Sequence, residues 1–191
     1  DSEDYAFLQR FVEIVGAAGA AAFIVHARKA WLSGLSPKQN REVPPLSYPT
    51  VYRLKREFPQ TIIVLNGGLG SLDECESHLP HVDGVMLGRA AYEDPYLLAE
   101  VDRRLFGDTA PIRTREEVLR ALRPYIEREV VGGPTRLSHI TRHILGLYRQ
   151  QHGGRAFRRT LSELATCPGA GWKVIESALA PISTTPRAAA A

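Results

Sequence analysis

Three apolar runs in this sequence end in side chains that a hydrophobic core has no use for. AAFIVHA carries His26 at its end, TIIVLNGG runs into Asn66, Gly67 and Gly68, and DGVMLGR closes on Gly88 and Arg89. Together they are what a phosphate site needs. Glycine lets backbone N–H groups approach an anion closely, with a following helix start adding free donors. A guanidinium adds charge or stacks on a planar ring. Each piece also has a plainer reading: Gly-Gly as a tight turn, His26 as a satisfied polar residue, Gly-Arg as chance. The recurrence at three strand ends points to a phosphate-bearing ligand, because ligands gather at the carboxyl ends of parallel strands.

A second kind of chemistry is electrostatic. Between 130 and 162 there is no acidic residue, yet Arg136, Arg142, Arg149, Arg155, Arg158 and Arg159 all fall there, with His139, His143, His152, Tyr148 and Phe157 among them. Arg155 and Arg158 are three apart and share a helix face. Unneutralised arginines on one face are the footprint of a phosphate backbone; the plainer reading is a solvated surface meeting carboxylates elsewhere. The loop HARKAWLSGLSPKQNREVPPL adds Arg28, Lys29, Lys38 and Arg41 around Trp31. Loops of this length are usually functional, and otherwise pack over a rim. Cys75 and Cys167 form no metal spacing and no disulfide framework, read as structural, and fit a reducing compartment.

The elements that position these residues follow from periodicity. Residues 3–18 place Phe7, Leu8, Phe11, Val12 and Val15 at helical spacing. AAFIVHA reads as a strand covered on both faces. A loop over 28–47 and a helix with proline near its start, YPTVYRLKREF, follow. TIIVL is the second strand, Ser71 to Glu74 has the capping-box pattern, DGVML is the third strand, and a helix is expected over 94–106. Strands alternating with helices imply a parallel sheet or a (β/α) barrel. After Gly107 the texture changes. A second capping box at Thr114 to Glu117 opens a helix broken at Gly132, Gly133 and Pro134, and helices are expected over 135–150, 154–166 and 171–180. The organisation is thus α/β over 1–107, all-α over 108–182 and a disordered tail over 183–191. At 191 residues, 44% hydrophobic, 24% charged and net +3, the composition is that of a soluble globular protein. No apolar run reaches the length of a membrane span.

The stretches VHARKAWLSGLSPKQNREVPPL, VLNGG, VDGVMLGRAAYEDPYLL and TRHILGLY with GRAFRRTLSEL resemble the tRNA-dihydrouridine synthases, specifically the A-type subfamily, and the resemblance runs from Asp1 to about Ala180. It implies a flavin-dependent (β/α)8 TIM barrel followed by a helical tRNA-binding domain. The implied enzyme is an FMN- and NADPH-dependent oxidoreductase that reduces uridines of the tRNA D-loop, at positions 20 and 20a by subfamily, to 5,6-dihydrouridine. By motif, His26, Asn66, Gly67, Gly68, Gly88 and Arg89 match its FMN-binding residues. Lys38 and Arg41, and then Arg155 and Arg158, match two pairs that contact tRNA.

The same resemblance implies that only the C-terminal half of the barrel, strands six to eight, is represented. The family's catalytic cysteine and a strand-five lysine have no counterpart, so no catalytic residue is assigned in this chain. Beginning at Asp1 inside a helix, the chain is expected to be a piece of something longer. These residues alone are expected to be inactive, with strand edges unpaired and the inner barrel face bare. Two other readings are a non-catalytic RNA-binding module and a different FMN TIM-barrel oxidoreductase acting on a small molecule; the basic stretch argues against the second. The expected compartment is cytoplasmic, with an organelle open, and neither a metal nor a membrane is expected as partner. Oligomeric state is not legible.

Overall fold

The computed structural model describes residues 2–29, 31 and 34–183. It divides into two compact units, between Arg89 and Ala90.

The first unit is built on a parallel sheet. Helix α1 (Ser2–Ala17) leads into β1 (Ala22–His26), a 3-10 turn spans Gln39–Arg41, and α2 (Tyr48–Glu57), β2 (Ile62–Asn66), α3 (Leu72–His78), a second 3-10 turn (Leu79–His81) and β3 (Gly84–Met86) complete the order. The strands lie β1-β2-β3, all parallel, with Phe23 beside Ile63, His26 beside Asn66 and Asn66 beside Met86. Side chains alternate across a strand, and here the two faces differ. Phe23, Ile63 and Leu65 point into a core with Val12, Val51, Leu54 and Cys75. On the other face Ile24, Ile62 and Met86 are 62%, 47% and 41% exposed. The expectation of a strand covered on both faces is therefore corrected: among the described residues the helices cover one face only.

Local signals explain the element ends. Ser71 caps α3 by accepting the Glu74 N–H at 3.2 Å, but the Glu74 carboxylate reaches back to the Gly70 N–H at 2.6 Å rather than to Ser71. Only half of that capping box forms. Asp83 ties β3 to β2, accepting the Ile63 N–H at 2.8 Å and pairing with Lys55 at 2.8 Å. Burial works to raise its carboxyl, yet the Ile63 amide and Lys55 outweigh it and hold it below the usual carboxylate range.

The second unit is helical. Helix α4 (Arg89–Glu93) leads into it, a 3-10 stretch covers Pro95–Glu100, and α5 (Val101–Phe106), α6 (Arg115–Ala121), α7 (Arg123–Val131), α8 (Leu137–Thr141), α9 (Gly154–Leu164) and α10 (Trp172–Ser183) follow. Thr114 and Glu117 form a complete capping box at α6. Leu119, Ile126, Leu137, Phe157, Leu161 and Ile175 are at most 1% exposed and form its core. The break at Arg89 lies earlier than the 107/108 expected from sequence texture. The reason is contact: Tyr96 donates to the Arg113 carbonyl at 2.8 Å, Arg115 sits 3.8 Å over the Tyr96 ring, and Arg149 pairs with Glu93 at 2.8 Å.

Two expected helices are corrected. The one over 94–106 is a 3-10 stretch followed by α5. Of 135–150, only Leu137–Thr141 is α-helix. Beyond it the backbone winds in tighter turns, with Leu147 N–H to Ile144 O at 3.0 Å and Arg149 N–H to Gly146 O at 2.8 Å. Gly146 lies so close to the Glu93 carbonyl that a Cβ there would stand 2.0 Å from its oxygen, and Arg115 Nε takes the Leu147 carbonyl at 2.9 Å. Of the tail expected over 183–191, Ser183 closes α10, and 184–191 lie outside the described residues.

Candidate functional site

Parallel pairing sets His26 beside Asn66, and the Ala27 N–H bonds the Asn66 carbonyl at 2.7 Å. The chain then reverses through Gly67 and Gly68, at φ 116° and 78°, a region that disfavours any residue with a Cβ. Space is short as well. A Cβ on Gly67 would lie 3.1 Å from His26 Cε1, and one on Gly68 2.5 Å from Leu46 Cδ1 and 2.9 Å from Tyr48 Oη. Tyr48 donates its hydroxyl to the Gly67 carbonyl at 3.1 Å. The Gly67 N–H continues the β2–β3 ladder toward the Met86 carbonyl, whereas among the described residues the backbone N–H groups of Gly68 and Leu69 have no hydrogen-bond acceptor. Two successive unpartnered donors in one turn are the kind of feature that takes an anion's oxygens. His26 is held below its ordinary imidazole value, first by partial burial and then by the Arg28 charge, with Arg89 adding a little. At neutral pH it is therefore an uncharged ring able to hydrogen-bond.

Gly88 follows β3 at the same sheet end and is open, with nothing within 4 Å of a Cβ built there. Arg89 is not solitary. Its guanidinium pairs with the Glu42 carboxylate at 3.1 Å and reaches the Arg41 carbonyl at 3.4 Å. Lys38 precedes the 3-10 turn and Arg41 ends it, both exposed. The loop beyond them is strapped down by Arg28, which donates to the carbonyls of Glu42 and Pro44, and by Ser47 N–H to Ala27 O at 2.6 Å. Arg28, Glu42 and Tyr48 thus shape the glycine turn and its surroundings. Sequence reasoning missed Glu42 and Tyr48 because nothing local marks a contact that crosses tens of residues. Trp31 belongs to the loop itself, its amide and carbonyl both bonded to Asn40.

In the second unit, Arg155 and Arg158 project from α9 and line a groove of about 770 Å³ with Arg142, Arg149 and Tyr92. The opposite face of α9 is anchored by Phe157 and Leu161. The arginines divide. Arg149 has found Glu93, as the plainer reading expects, whereas among the described residues no carboxylate pairs with Arg142, Arg155 or Arg158. Tyr148 and Phe157 pack together at 4.7 Å between ring centroids and belong to the core. Cys75 is buried and Cys167 exposed, and neither is in a disulfide. Among the described residues no helix is long and apolar enough to cross a membrane.

Comparison with known proteins gives these two regions a context. Residues 1–180 match the family described as Dihydrouridine synthase (Dus). A Vibrio cholerae protein named tRNA-dihydrouridine(20/20a) synthase is 54% identical over 183 residues, covering 95% of this chain and 56% of its own length. Proteins of the same name from Xanthomonas axonopodis pv. citri and Escherichia coli O6:H1 are 56% and 53% identical, over 94% of this chain and 53% and 54% of theirs. The chain spans about half the length of the curated relatives it matches.

Proposed function

The chain belongs to the dihydrouridine synthase family, and from that premise we propose that it is the flavin-phosphate and RNA-binding part of an oxidoreductase that reduces D-loop uridines of tRNA, at 20 and 20a, to 5,6-dihydrouridine. The sheet unit would be the C-terminal half of the (β/α)8 barrel and its FMN-binding part, and the helical unit the tRNA-binding part. The bare face carrying Ile24, Ile62 and Met86 supports this reading, since it is the face a closed barrel turns inward.

One observation carries the cofactor assignment: the turn after β2 offers the unpartnered N–H groups of Gly68 and Leu69 beside an uncharged His26. Asn66, Gly67 and Gly68 would hold the FMN phosphate, with Gly88 and Arg89 on its other side, because Gly88 leaves room and the Arg89–Glu42 pair is exposed enough to exchange. FMN, when bound, supplies the reducing equivalents, which it draws from NADPH. His26 would hydrogen-bond the flavin as an uncharged ring. Lys38 and Arg41 on one unit, and Arg155 and Arg158 on the other, would take tRNA phosphates. We place the protein in the cytoplasm.

Expressed alone, these 191 residues are expected to hold FMN weakly and leave tRNA unreduced. Cys75 is buried under the sheet and Cys167 lies in the helical unit, so neither stands at a strand end. The function is tested by deleting the gene in its source and mapping tRNA masses. Loss of the two-hydrogen increment at positions 20 and 20a supports the reading, and an unchanged D-loop refutes it.

A further inference from the structure

The groove beside α9 has a wall that phosphate binding does not require. Tyr92 lines it and is 57% exposed. Its ring is nonetheless fixed in place, meeting the His143 ring edge-on at 5.7 Å and 80°, with its hydroxyl 3.2 Å from His143 Nδ1. His143 is held in turn by Arg142, whose Nε donates to His143 Nε2 at 3.1 Å. A guanidinium can only donate, so Nε2 is bare, and the Nδ1 proton goes to the tyrosine oxygen. Glu93 also lines the groove, but Arg149 neutralises it. What remains is an anchored aromatic residue that is over half exposed, lining the same groove as Arg155 and Arg158.

We propose that Tyr92 stacks on an unpaired base of the RNA whose phosphates meet Arg155 and Arg158, so that the groove selects a single-stranded loop over a duplex. This rests on the RNA-binding reading above and adds a preference between RNA forms. Bases inside a duplex have no free face, whereas an unpaired base offers one to an aromatic ring or a guanidinium plane. Anchoring through His143 removes the entropy cost of ordering the ring on binding, as a preorganised contact does.

The test is fluorescence anisotropy of the 191-residue chain with a labelled hairpin bearing an unpaired loop and with a fully paired duplex of equal length. The expected result is preference for the hairpin, a loss of about ten-fold on the hairpin alone in Tyr92→Leu, and a clearly smaller loss in Tyr92→Phe, which keeps the ring and its edge contact with His143 but not the hydroxyl bond. Equal affinity for both RNAs, a Tyr92→Leu loss shared by the duplex, or a Tyr92→Phe as damaging as Tyr92→Leu overturns the inference. Should Tyr92→Leu fail to fold, 2-aminopurine in the hairpin loop decides with the unsubstituted chain: quenching on binding supports stacking, and unchanged fluorescence overturns it. Arg155→Ala with Arg158→Ala separates the two claims. It should weaken both RNAs and flatten the salt dependence; no effect removes the RNA reading and the stacking inference with it.

Discussion

At the scale of single residues, the glycine turn after β2 is the most constrained position in the first unit. Gly68→Ala would force a Cβ into a left-handed backbone region and against Leu46 and Tyr48. The backbone term alone is about 1–2 kcal/mol, and displacement of Leu46 adds to it. A thermal melt should show that loss. Gly88→Ala should show almost none, because its surroundings are open; equal losses at both sites would sink the distinction. His78 makes a second residue-scale prediction. It is buried, packed against Tyr48 with ring centroids 4.4 Å apart and bonded to the Tyr52 hydroxyl. Burial holds its imidazole below the ordinary value, Glu74 pulls the other way, and His81 adds to the lowering. A histidine lowered in the fold contributes stability above its ordinary value of about 6.5, and that stability is lost as pH falls through the folded value. Acidification below about 6.5 should therefore lower the melting temperature, and His78→Gln should flatten that slope; a slope unchanged by the substitution would exclude His78 as its source.

Elements show what the sequence made legible and what it did not. All three strands and helices α1, α2 and α3 could be read, because apolar runs, Pro49 at the head of α2 and Ser71 at the head of α3 are local signals, whereas α4 directly after β3 could not. The strand-end residues could be found for the same reason. The 142–150 turns could not, because their cause is Gly146 lying against the Glu93 carbonyl and Arg115 taking the Leu147 carbonyl, both distant in sequence. Coverage of a strand on one face or two was also hidden, since alternation among purely apolar residues leaves no pattern. Packing sets the energetic scale here. Leu54 of α2 is fully buried against the sheet, so Leu54→Ala should cost about 2–5 kcal/mol. Thr114→Ala, which removes one half of the α6 capping box, should cost about 1 kcal/mol. Denaturant titration of both variants checks the ranking, and a cap worth more than the core leucine would contradict this account.

For the molecule as a whole, the exposed sheet face is the most telling surface. Ile24, Ile62 and Met86 share one sheet face and leave it an exposed apolar surface of the kind that soluble proteins seldom leave bare. The 191-residue chain should light up an apolar dye such as ANS. Replacing Ile24, Ile62 and Met86 by threonine should abolish most of that signal without lowering the melting temperature; an unchanged signal would place the dye elsewhere.

The Arg89 guanidinium reaches across to Glu42 and Arg41, the same short stretch of loop that presents Lys38. An exposed ion pair of this kind is worth roughly 0–1 kcal/mol, so it yields readily to a stronger anion. Its geometry nevertheless makes two otherwise separate surfaces share one cation. An anion that captures Arg89 releases one of the loop's tethers, leaving those from Arg28 in place, and whatever reshapes the loop alters how freely Arg89 can turn. Thermodynamic reciprocity requires the two effects to be equal in size, so a titration of either surface carries information about the other.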